Sequence, residues 1–218
     1  MWWKTLIFLA MSAVVVLVYT TAPPQAAIGP ASRVFYFHVP MAWISVLAFA
    51  VSMVYSIRYL KARDLRWDDR ALAGAQLGLL FCMLAAISGS IFARVTWGAF
   101  WNWDPRETSI FVLLLIYAAY LALRGAVEQP DRRAALAAVY SIFAFVTVPF
   151  LIFVVPRVVP SLHPTDSVVD ETLRITMSSS VTWLLLLSLA TFTGLFLWLF
   201  SLTVRIRSLA RNSAELED

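Results

Sequence analysis

The sequence predicts an all-α integral membrane protein: six transmembrane helices, both termini cytoplasmic, and a tryptophan-rich external loop between the third and fourth helices. Three observations carry that prediction. The 218 residues are 61% apolar and only 14% charged, whereas a soluble domain is roughly half apolar and about a quarter charged. Six apolar runs approach or exceed the ~20 residues that span a bilayer core as a helix. The 17 basic residues are distributed unevenly between the two sets of connecting loops.

The runs lie near residues 5–21, 39–60, 71–93, 108–124, 134–155 and 176–203. Backbone groups in lipid must be satisfied within their own segment, so each run is read as a helix. Lys4 precedes the first run, and a small, proline-rich stretch, 22–27, follows it. A cleaved signal peptide shares that pattern, but with its flanking residues the run is just long enough to span, which favours an uncleaved first helix. The last run exceeds the span length, so it is expected to tilt or to begin at the interface. The chain from 1 to 218 reads as one transmembrane domain, ending in a short, frayed, acidic tail from Asn212 to Asp218.

With the N-terminus inside, the outer loops hold Arg33, Arg94, Arg106, Arg157 and Arg174, and the other twelve basic residues lie inside. That bias fixes the orientation. The basic residues form no continuous patch, so the pI near 9.5 does not point to nucleic acid. The span interiors contain almost no ionisable residues, which argues against an ion or proton pump. Cys82 alone excludes a disulfide framework or a CxxC pair and reads as a buried hydrophobe. Gly74 and Gly78 form a small-xxx-small pair suited to a close helix contact. Pro149 is expected to kink the fifth span near its outer end.

The densest feature is the segment Trp97-Gly-Ala-Phe-Trp-Asn-Trp-Asp-Pro-Arg-Glu-Thr-Ser109, between the third and fourth spans on the outer side. Interfacial tryptophans usually form an aromatic belt. A belt accounts for the location of Trp97, Trp101 and Trp103 but not for their density. Asp104, Pro105 and Glu107 read as an N-cap, a first-turn proline and the carboxylate of a capping box for the fourth helix.

The two histidines fall at the same outer face. His38 stands in Tyr-Phe-His-Val-Pro; Pro40 in the first turn of the second span would place His38 at or just before that helix's outer end. His163 stands in Ser-Leu-His-Pro after the fifth span. Two neutral imidazoles can fill both axial positions of a haem iron, and indole rings supply apolar surface for the macrocycle. Arg33, Arg94, Arg106 and Arg157 are candidate partners for its propionates. Zinc is less suited, because no thiol cluster accompanies the two histidines.

The pattern from Trp97 to Ser109 resembles the tryptophan-rich WWD signature of haem-handling proteins in cytochrome c biogenesis. Within that superfamily the chain is most similar to the CcmC family, from Arg33 to the last span. The wording from Asn102 to Thr108 also leans toward the related, longer family of the two-component biogenesis system, and Phe100 occupies a position that is often Trp in CcmC proteins. The resemblance implies a multi-pass protein of the bacterial inner membrane, with its functional loops periplasmic. It implies a carrier of haem b rather than an enzyme, with His38 and His163 as axial ligands and Trp97, Trp101, Trp103, Asp104 and Arg106 as further haem-binding residues. It also implies partners: a periplasmic haem chaperone, a small membrane subunit and an ATP-binding cassette complex. The alternative from another class is a permease subunit of an ATP-driven exporter of haem or another small molecule. The chain has no phosphate-binding loop of its own.

Overall fold

The computed structural model describes residues 2–24, 28–163 and 177–217. Helix α1 covers Trp2–Thr21. A short 3₁₀ turn, Pro30–Val34, leads into α2, Phe35–Ala62. Helices α3 (Leu65–Trp97) and α4 (Pro105–Ala126) follow. Helix α5 (Pro130–Pro149) continues through a π-helical turn, Phe150–Val154, into the short α6, Val155–Val158. Helix α7 runs from Ser179 to Glu217. Six segments are long and apolar enough to cross a membrane, matching the six apolar runs.

Helix α2 is the central element. It packs most extensively on α3 and also touches α5 and α7. On one side, Phe49 joins Leu113, Tyr117, Tyr120, Ala137 and Val148 in a core shared with α4 and α5. On the other, Ile44 and Ala48 meet Phe192 and Phe196 of α7. Helix α1 is held against this second side, with Val14 and Val18 buried against Tyr36 and Leu184.

The close contact expected at Gly74 and Gly78 is the α2–α3 seam. A Cβ at 74 would lie 2.9 Å from the Ser52 nitrogen, and one at 78 would run into the Phe49 ring. The missing side chains let the two backbones approach. Cys82 is free and buried. Pro149 ends the regular α-helical ladder, and the wider π turn that follows absorbs the disruption.

Two sequence expectations change. Helix α2 starts at Phe35, so Pro40 is its sixth residue rather than part of the first turn. The 3₁₀ turn, with Pro30 at its start, is what carries the helix back past His38. The chain from Asn212 to Glu217 is not frayed but continues α7. Arg174 and the start of the sixth apolar run at residue 176 lie outside the described residues.

At the inner end, a buried pair joins α3 to α4. Arg124 donates to both Asp68 oxygens, at 2.6 and 2.7 Å. Arg207 of α7 donates to Gln76 at 2.5 Å, and Arg211 pairs with Asp69. The inner ends of α3, α4 and α7 are thereby fastened by charge-assisted contacts.

Candidate functional site

His38 lies in the first turns of α2, directed at α3. Its Nδ1 stands 3.0 Å from Ser88 Oγ, and Gly89 beside Ser88 leaves room for the ring. A Cβ at 89 would sit only 2.8 Å from His38 Cε1. The turn that carries His38 is tied to α7 as well. Pro40 has no N–H, so the carbonyl of Tyr36, four residues earlier, loses its helical donor. Ser188 of α7 replaces it, donating to the Tyr36 oxygen at 2.5 Å.

His163 is placed by Asp104. The Asp104 carboxylate caps α4, with Oδ1 accepting from the Arg106 amide at 2.9 Å. Glu107 completes the capping box by accepting from the Asp104 amide, and it also accepts from the Asn102 amide at 2.7 Å. The same Asp104 side chain reaches across to the loop after α6. Its Oδ2 accepts from Ser161 Oγ at 2.8 Å and from the Leu162 amide at 2.6 Å, while Oδ1 meets His163 Nδ1 at 2.9 Å. Asp104 is only 4% exposed, so these donors replace the water that it gives up.

Burial pushes the Asp104 carboxyl up, but the donors from Arg106, Leu162 and Ser161 outweigh it and hold it below the usual carboxylate range. Burial also pushes His163 below the ordinary histidine value; Asp104 pulls the other way without overcoming it. Asp104 and His163 are thus joined carboxylate to ring nitrogen. His38 and His163 lie within electrostatic reach of each other.

The aromatic segment divides its work. Trp97 closes edge-on against His163, with ring centroids 4.6 Å apart. Gly98 ends α3 in the left-handed region at φ 84°. Trp101 is braced edge to face by Trp103 and by Phe111. Trp103 itself takes a positive φ of 55° and is 70% exposed, and Phe100 is 59% exposed. A left-handed backbone is costly for an aromatic residue, by about 1 kcal/mol or more. Here it turns the chain sharply before the Asp104 cap and leaves the indole projecting.

The candidate propionate partners are variously engaged. Arg94 donates to the Gly98 carbonyl and lies over Phe100. Arg157 donates to the Phe153 carbonyl at 2.8 Å. Arg106 is within electrostatic reach of Asp104 and Arg157. Arg33 stacks over Tyr19, with its Nε buried and unpaired.

The structure thus brings His163, Trp97, Asp104 and Arg106 into one group, with His38 close by on α2. Ser88, Gly89, Ser161 and Ser188 were not singled out by the sequence. Only Pro40 signalled one of them, because a proline inside a helix leaves a carbonyl in search of a donor. Among the described residues, no three metal-ligating side chains converge.

The fold is that of an all-α multi-pass membrane protein, with both histidines near the aromatic loop between α3 and α4. The chain belongs to the CcmC family, described as heme exporter protein C, which matches residues 1–217. It is 36% identical over 132 residues to a heme exporter protein C of Bradyrhizobium diazoefficiens, covering 61% of this chain and 50% of that one. It is 30% identical over 185 residues to the heme exporter protein C of Escherichia coli, covering 81% and 74%. A cytochrome c biogenesis protein CcsA of Fagopyrum esculentum shares 33% identity over 91 residues, 41% of this chain and 28% of that one. The matched regions span about half the length of the first bacterial relatives, 50% and 48%.

Proposed function

We propose that this protein holds haem b at the periplasmic face of a bacterial inner membrane and presents it to a periplasmic haem chaperone during cytochrome c maturation. The observation that carries this reading is the pair of neighbouring histidines, each anchored through Nδ1, one on α2 and one on the loop after α6. Nε2 is the other nitrogen of each ring. Those two atoms are the natural axial ligands of haem iron. Trp97 would wall the His163 side, Trp101 and Trp103 would extend the apolar surface, and Arg33, Arg94, Arg106 and Arg157 are the candidate partners for the propionates. The exposed Trp103 and Phe100 form the surface on which a chaperone would meet the macrocycle.

Haem is cargo in this scheme, and the protein supplies ligands, an apolar wall and an exit. It is not assigned a nucleophile or a general base. A small membrane subunit and an ATP-binding cassette complex are the proposed membrane partners.

The test is the absorption spectrum of protein purified from haem-replete cells. A low-spin haem spectrum is expected, weakened in His38→Ala and in His163→Ala. A spectrum identical in wild type and both variants would remove the axial-ligand assignment, and a colourless wild-type preparation would remove haem binding.

A further inference from the structure

The two histidines are both held by Nδ1, but by partners of different chemistry. Ser88 has one hydroxyl proton, and two helix carbonyls lie within its reach: Leu84 at 2.8 Å and Ala85 at 3.1 Å. With that proton given to a carbonyl, the Ser88 oxygen is left to accept from His38, whose ring proton then sits on Nδ1. Asp104 accepts from the Arg106 amide, the Leu162 amide and the Ser161 hydroxyl. It is an acceptor throughout, so His163 Nδ1 is the donor in the fourth contact.

We infer that Ser88 and Asp104 are positioning residues that hold both imidazoles as Nδ1–H tautomers, each presenting an Nε2 lone pair. The same geometry makes His163 the stronger donor and His38 the ligand that yields first. A ring N–H bonded to a carboxylate gains imidazolate character and a more basic opposite nitrogen. A hydroxyl already donating elsewhere polarises the ring less. His163 is also tied to the Asp104 cap through its neighbours Ser161 and Leu162, whereas among the described residues the His38 ring has one side-chain hydrogen-bond partner. The ranking of the two ligands rests on the haem reading. The tautomers do not, because they are properties of the chain alone.

The chain has two histidines, so ¹⁵N-histidine labelling of the full-length, ligand-free protein in lipid nanodiscs yields two ring systems that can be told apart by substitution. In both rings Nδ1 is expected in the protonated range and Nε2 in the unprotonated range. Ser88→Ala should convert only the His38 ring to mixed tautomers, and Asp104→Asn only the His163 ring. A protonated Nε2 in either wild-type ring overturns the tautomer assignment, and a His38 pattern unmoved by Ser88→Ala overturns the positioning role of Ser88. Asp104 also caps α4; should Asp104→Asn fail to fold, the wild-type spectrum and Ser88→Ala still decide it. For the ranking, the midpoint potential of the haem-loaded protein should rise more in Asp104→Asn than in Ser88→Ala, and the reverse order overturns it. Should Asp104→Asn not yield loaded protein, exogenous imidazole added to wild type decides the ranking: it should displace the His38 ¹⁵N signal before that of His163. A wild-type protein that binds no haem but shows both Nδ1–H tautomers would sink the proposed function and leave the tautomer assignment standing.

Discussion

Gly89 on α3 lies directly against the imidazole of His38 on α2: a Cβ at position 89 would stand 2.8 Å from Cε1, 3.4 Å from Nδ1 and 3.7 Å from Nε2. The ring has no room to retreat without leaving Ser88. Gly89→Ala is therefore expected to rotate the imidazole and break its Nδ1 contact. Overpacking of this kind costs about 1–3 kcal/mol; falling on the haem-holding arrangement, it would lower haem affinity by roughly fivefold to 150-fold. Haem titration by absorbance measures it. Gly125→Ala is the control, because a Cβ there meets nothing within 4 Å; thermal unfolding should show a gain of up to about 1 kcal/mol.

Ser188 and Pro40 should be coupled although they do not share a helix. Ser188→Ala leaves the buried Tyr36 carbonyl without a donor, at an expected cost of about 1–3 kcal/mol. Pro40→Ala restores the backbone N–H that can serve that carbonyl. In the Pro40→Ala background, the further cost of Ser188→Ala should shrink toward that of the hydroxyl alone. A double-mutant cycle in one detergent reads this coupling directly, and a coupling energy of zero would contradict the assignment.

The Asp68–Arg124 pair is buried, with side chains 9% and 8% exposed. Removing one partner strands a charge, so Asp68→Asn or Arg124→Met should each destabilise by about 3–5 kcal/mol. Replacing both with apolar residues should cost less than either single change. Denaturation midpoints of the three variants check the order.

Gly78→Ala should destabilise the α2–α3 seam. The added methyl would run into Phe49, which cannot swing aside because it is stacked on Tyr117 with centroids 3.5 Å apart and planes 13° off parallel. The expected loss is about 1–3 kcal/mol. Phe49→Leu in the same chain should recover part of it, as read by thermal unfolding.

The spans were legible in the sequence because lipid imposes length and apolarity on each run independently. The α4 cap was legible for a similar reason: Asp104, Pro105 and Glu107 act within one turn. The start of α2 was misplaced, since Pro40 suits a first turn and nothing local announced that the 3₁₀ turn from Pro30 would extend the helix backward. The contact between Asp104 and His163 joins residues 59 apart, and periodicity carries no information about such pairings. Gly89 resembled any other glycine in an apolar helix until the ring across from it was in view. The Arg124 partner was hidden likewise, because Asp68 lies before the run that marked the third span.

The order of synthesis gives the Ser188 contact a further meaning. A membrane chain emerges from the ribosome N-terminus first, so α2 with His38 exists well before residue 188 is made. Until α7 arrives, the Tyr36 carbonyl lacks both its helical donor and its substitute, and the turn beneath His38 has no fixed partner on that side. His163, and its anchor to Asp104, also come late, 125 residues after His38. The two histidines therefore gain their full set of contacts only when nearly the whole chain is in place.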